Sequence, residues 1–133
     1  LAGFASERLH RLCRKLRRLV AVADIDDPSS LHALRIGVKR LRYALEFFSP
    51  LAPKRTVRHA ITTLAEVQET LGQLNDLTSA GAMLMECAGD DPRLREAVTL
   101  IGGWHGPRYA RLLATIARDL VLLARIRLPK LGR

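Results

Sequence analysis

The sequence predicts an all-α protein, an antiparallel bundle of about four long helices. Three observations predict it. Leucine, alanine and arginine dominate, aromatics make up only 5% of the residues, and β-branched runs are short; that composition favours helix over strand. Apolar residues recur at spacings of three and four, the rhythm of a helix with one buried face. Short segments rich in Pro, Gly, Asp and Ser separate the periodic stretches, and such links make successive helices antiparallel. With 133 residues, one domain, 1–133, can bury a core of its own.

The first helix is expected over residues 4–23, with Leu9, Leu12, Leu16 and Leu19 inward. Arg8, Arg11, Lys15 and Arg18 form a cationic row in the same rhythm. Asp24-Ile25-Asp26-Asp27-Pro28 breaks the pattern, and Ser29 or Ser30 is expected to cap the second helix. That helix should stop near Ser49, ahead of Pro50-Leu51-Ala52-Pro53. A third helix is expected over 54–88, with Gly72 as a place to bend. Gly89-Asp90-Asp91-Pro92 ends it and sets carboxylates against the start of the fourth. The fourth is expected over 92–126. Gly102-Gly103-Trp104-His105-Gly106-Pro107 interrupts its pattern, leaving a kink and a split both open.

The formal charge is +9, from 22 Lys and Arg against 13 Asp and Glu. Residues 3–23 carry six cations and one anion, 92–127 seven and two, and 54–88 are slightly acidic. The excess therefore belongs to particular helices, which favours a localised patch.

The second helix is the most informative stretch. Leu31, Leu34, Val38, Leu41, Leu45 and Phe48 share one stripe, and His32, Arg35, Lys39 and Arg42 form another beside it. At 100° per residue those four cationic groups fall within an arc of about 80° and span about 15 Å of the axis. Such a row repels itself unless something anionic lies along it. An extended polyanion is the expected partner. Arg35 and Arg42 grip phosphate through paired N–H groups, Lys39 acts as a point charge, and His32 donates a hydrogen bond. Arg40 projects about 120° from the centre of the stripe and is expected to pair with Glu66, Glu69 or Asp76. Tyr43 sits at the edge of the basic face. Packing is slightly favoured over ligand contact for both.

The remaining cationic rows, Arg8-Arg11-Lys15-Arg18 and Arg108-Arg111-Arg118-Arg125, suit a binding surface and a plain solvated face equally well. Cys13 and Cys87 lie in helical patterns and are expected to be buried, reduced apolar residues. No run approaches the ~20 apolar residues of a membrane span, and no secretory signal opens the chain, so no membrane partner and a cytoplasmic location are expected. The chain opens at Leu1 without Met, which suggests a piece of a longer or processed polypeptide.

His32-x-x-Arg35 followed by Lys39-Arg40-Leu41-Arg42-Tyr43-Ala44-Leu45-Glu46-Phe47 resembles the signature helix of CHAD domains, the conserved-histidine α-helical domains. Leu71-Gly72-Gln73-Leu74-Asn75-Asp76 is similar to the element that follows that helix in the family, and Gly103-Trp104 to a pair in its last long helix. The three motifs occur in the family's order over roughly residues 5–125. The resemblance implies a domain of two pseudo-symmetric helical halves with a basic channel between them. It also implies binding of inorganic polyphosphate, with some members at polyphosphate granules and others joined to a triphosphate-tunnel domain. This chain resembles the second, C-terminal half. The other channel wall is then supplied by a preceding half of the polypeptide or by a second copy of the chain in a homodimer. Gly106-Pro107 departs from the family's helix-forming residues at that point.

The reading is therefore non-catalytic polyphosphate binding with no cofactor. His32, Arg35, Lys39, Arg42, Arg40, Tyr43, Arg11, Lys15, Arg18, Arg108 and Arg111 are the candidate contacts. Asn75 and Asp76 are expected as support, Asn75 turned to the apolar side to satisfy a buried carbonyl or Arg42. The basic rows interleave few aromatics, which weakens the rival reading of nucleic-acid binding. A metal-dependent phosphoanhydride enzyme, or an accessory to one, would rest on His59, Glu66, Glu69 and Asp76, which fall on one face of the third helix. Arg55, Thr62 and Gln73 share that face, as on an ordinary solvent-facing stripe, and Gly-rich phosphate loops, a nucleophile with a placed base and zinc spacing are absent from the sequence. Docking of an acidic protein onto the basic row is a third alternative.

Overall fold

Residues Ala2–Ala21 form α1, which buries Ala5, Leu9, Cys13 and Leu16. These details come from a computed structural model, which describes residues 1–132. Pro28–Phe48 form α2, burying Leu34, Val38, Leu41, Leu45 and Phe48. A single turn of 3-10 helix at Ser49–Leu51 leads into α3, Lys54–Ala88. The last helix, α4, is Pro92–Ala124. Helices adjacent in sequence pack side by side, and α1 closes against α4. Their apolar stripes meet in one core that also takes in Ile116, Leu123 and Ile126.

Side chains other than the expected serines start α2. Asp27 is the N-cap and accepts from the Ser29 N–H at 3.0 Å. The Ser30 hydroxyl instead accepts the Asp24 N–H at 2.9 Å, closing the preceding loop. Pro28 explains the shift: proline fits the first helical position, where no N–H is needed, so the cap falls on the residue before it. Asp91 caps α4 by the same logic, accepting from Arg93 N–H at 2.9 Å ahead of Pro92. Gly89 ends α3 at φ +53°, a conformation that suits a residue without Cβ.

Gly37 gives α1 and α2 room to pack closely. A Cβ there would lie 3.0 Å from Leu19 Cδ1 and 3.3 Å from Leu16 Cδ1.

Neither interruption expected in the long helices breaks them. α3 is continuous through Gly72 and α4 through Pro107. Pro107 removes the N–H that would bond the Gly103 carbonyl, but this stretch is exposed, so water can serve that carbonyl. α3 and α4 are 35 and 33 residues long against 20 and 21 for α1 and α2. At 1.5 Å per residue they exceed the shorter pair by about 20 Å, and the excess forms a hairpin arm. Between Leu74 and Ile116 the arm has one buried apolar residue, Ala88. Trp104 is 84% exposed and Leu100 70%, with Met83, Leu94 and Ile101 also open. Cys87 lies exposed on this arm; only Cys13 has the buried position expected of both. The sequence pattern at 87 is helical, but α4 leaves that face of α3 uncovered.

Candidate functional site

The antiparallel pairing of α2 with α3 organises the basic face. The start of α2 meets the middle of α3, and the end of α2 meets its beginning. His32 and Arg35 therefore line a hollow with Leu31 on α2, Asn75 and Thr78 on α3, and Tyr109 on α4. One to three turns further along α2, Lys39 and Arg42 flank the half-exposed Tyr43. Lys39 Nζ lies 5.8 Å from the ring centroid and Arg42 Cζ 5.9 Å, both within cation–π range.

Arg42 is held from two sides. Its Nε donates to Glu46 Oε1 at 3.1 Å and its Nη1 to Gln68 Oε1 at 3.2 Å. Gln68, not Asn75, is its amide partner, because residue 42 sits opposite the first half of α3. Asn75 faces the hollow beside His32 and Arg35 and is exposed; it is not turned into the core as expected. Asp76 is exposed and takes part in no hydrogen bond or ion pair among the described residues.

Arg40 and Lys15 are gathered on another flank. Arg40 lies on the opposite flank of α2, where it lines a groove with Lys15, Leu12 and Leu19 of α1. Its pairing with Glu66, Glu69 or Asp76 does not occur, since those residues belong to α3. Arg11 pairs with Glu7 at 3.1 Å on the exposed side of α1. Arg18, Arg108 and Arg111 are exposed, on α1 and α4. On α2 itself His32, Arg35, Lys39 and Arg42 form the cationic row. Glu46 is the carboxylate that touches it, and the Arg42–Glu46 pair is partly exposed, so it neutralises little.

Gln68, Thr78 and Tyr109 complete the face, and sequence reasoning did not single them out. Gln68 and Asn75 are seven residues apart beside the Leu64–Leu71 stripe, a spacing that places them on one helix flank. Tyr109 has no such signal. Its place depends on how α4 lies over α3.

Among the described residues no three His, Cys, Asp or Glu side chains come together as a metal site. On the candidate acidic face Glu69 accepts from Gln73 at 3.1 Å. Half-buried Asp119 of α4 feels the charge of Glu66. Burial raises the Asp119 pKa, Arg118 draws it back, and Glu66 raises it further. A carboxyl whose native pKa is raised favours the fold most below its unfolded value, and that contribution is lost as pH climbs through the native value. Asp119→Asn should therefore melt about 1–2 °C above the parent at neutral pH. The difference should vanish below the ordinary value of 3.8, as a thermal melt at each pH will show.

The element order and packing define an all-helical bundle module. The chain belongs to the CHAD domain family: the family's model matches residues 1–85. The crystal structure of the CHAD domain from the plant Ricinus communis is similar over 99% of this chain, at 36% identity and a TM-score of 0.79. This chain spans 46% of that one. The structural likeness thus extends through α4, beyond the part matched by the family model. No curated protein matches the chain at a significant level.

Proposed function

We propose that this chain binds inorganic polyphosphate without turning it over, along the α2 face. The observation that carries the reading is the strip of His32, Arg35, Lys39 and Arg42, with Glu46 the carboxylate in contact with it. A strip about 15 Å long meets several phosphates of an extended chain at once. Binding of this kind releases counterions and falls steeply with salt. The charge pattern supports a polyanion; the resemblance to CHAD domains favours polyphosphate among polyanions. Nucleic acid is the weaker reading, because the face offers only two aromatic rings: Tyr43, flanked by its own cations Lys39 and Arg42, and the half-buried Tyr109.

The test is a titration with long-chain polyphosphate beside duplex DNA and RNA of matched charge, at two salt concentrations. Polyphosphate should bind at least about tenfold tighter at equal charge, and equal affinities would transfer the assignment to nucleic acid.

The proposed setting is the cytoplasm, at polyphosphate granules. No helix among the described residues is long and apolar enough to cross a membrane. A second helical unit, either a preceding half of the polypeptide or a second copy of this chain, is proposed to supply the opposite channel wall. The bare arm around Leu100 and Trp104 supports this, since apolar surface of that extent ordinarily marks an interface. Light scattering of this chain should then give the mass of two copies if a homodimer forms. The mass of one, with dimerisation restored on adding the preceding half, would assign the surface to that half.

A further inference from the structure

A second basic cluster lies on another side of the bundle, where the last residues of the chain cross α1. His10, Cys13, Arg14 and Arg17 from α1 and Arg127 and Leu128 from the tail line one shallow hollow. No carboxylate is among them. Glu7, the acid nearest in sequence, is engaged by Arg11.

Two features separate this cluster from an ordinary solvated charge row. The first is that its cations come from two segments fixed against each other. Arg17 Nη2 donates to the Ile126 carbonyl at 2.7 Å, and Ile126 and Leu128 pack on the core on either side of Arg127. Arg127 is thereby presented from a strapped backbone. The second is that the floor is closed: Cys13 is 2% exposed. Burial raises its thiol pKa, while Arg17 and Arg14 pull it down, so the field of both guanidiniums reaches the floor. Arg14 and Arg127 are exposed, and their side chains make no hydrogen bond or ion pair among the described residues, so their donors remain available.

We infer that this hollow is a second anion site, independent of the α2 strip, which takes a short oligophosphate group. His10, Arg14 and Arg17 occupy about 10 Å of helix, less than the α2 strip, and Arg127 closes the site from the side. Three guanidiniums around one hollow suit the clustered oxygens of a di- or triphosphate through paired N–H contacts. The group can be free tripolyphosphate or the triphosphate of a nucleotide.

Calorimetric titration with tripolyphosphate and, separately, ATP, both without divalent cations, tests the site and its source. The background is Arg35→Ala/Lys39→Ala/Arg42→Ala, which disables the α2 strip. One saturable site should remain, and adding Arg14→Ala and Arg127→Ala should weaken it at least about tenfold. Arg17 is left in place because it holds the tail. Cys13 gives a local readout once Cys87→Ser removes the exposed thiol. Buried as it is, Cys13 reacts only when the tail lifts from α1, so bound tripolyphosphate bridging Arg14 and Arg127 should slow its reaction with the neutral reagent iodoacetamide. Arg14→Ala/Arg127→Ala should abolish that protection.

Equal binding of both ligands would place recognition in the phosphates; a preference for ATP would add a nucleoside contact. Loss of all binding in the α2 background, or protection indifferent to Arg14 and Arg127, overturns the second site and leaves the α2 assignment intact. Polyphosphate binding that survives the α2 substitutions but falls with Arg14→Ala/Arg127→Ala does the reverse.

Discussion

Arg35→Ala/Lys39→Ala/Arg42→Ala is expected to weaken long-chain polyphosphate binding about a hundredfold or more at 0.1 M salt. The size follows from the number of phosphate contacts removed. Each is a charge-assisted contact on a face with one opposing carboxylate in contact, so little is regained when the row is emptied. The slope of log affinity against log salt should fall by about two, since three cations no longer displace counterions from a single-stranded polyanion. Arg42→Ala alone should cost less than a third of the triple effect in free energy. Arg42 already gives its Nε donor to Glu46 at 3.1 Å, and its donor to Gln68 must be released to reach a ligand. The melting temperature should barely move, because what the fold loses is one partly exposed ion pair and one amide contact. A triple variant that binds polyphosphate with unchanged affinity and salt slope would remove the α2 strip from the site.

The helices and their inward faces could be read from the sequence because apolar spacing is a local property. Of the stripe expected inside, Leu34, Val38, Leu41, Leu45 and Phe48 are buried, while Leu31 is only partly covered and lines the hollow. The His32–Arg42 row followed from the same arithmetic. Its partners did not follow, because they depend on the register between α2 and α3. An antiparallel offset puts Arg42 against Gln68 and His32 beside Asn75, and no periodicity within one helix encodes that offset. Arg40 was assigned to α3 carboxylates for want of a rule about which flank α1 would occupy. It lies on the α1 flank with Lys15. Cys87 failed for a different reason: helical periodicity marks a face, but burial requires another element to cover it, and α4 leaves that face of α3 uncovered. The Asp27 cap was displaced from Ser29 by a proline whose preference for the first helical turn is itself a local rule.

Leu41→Ala is expected to cost the fold about 3 kcal/mol and to lower the melting temperature by about 10 °C. Leu41 is fully buried at the centre of the α2 stripe. Truncating it removes apolar burial and leaves a cavity that its neighbours only partly fill. Leu41→Met, similar in volume and free to repack, should recover most of the loss. Leu41 lies next to Arg40 and Arg42 in sequence, yet its side chain is fully buried in the core while the strip beside it faces outward. Polyphosphate affinity measured well below the lowered midpoint should therefore stay within about twofold of the parent. The triple variant should show the reverse pattern, with binding lost and melting kept. If Leu41→Ala loses affinity at a temperature where it remains fully folded, the core and the strip are coupled through the position of α2. In that case the strip depends on a fixed helix axis as well as on its charges. If the two effects separate, the stripe of leucines serves only to hold α2 against α1 and α3, and the row beside it can be altered without cost to the fold.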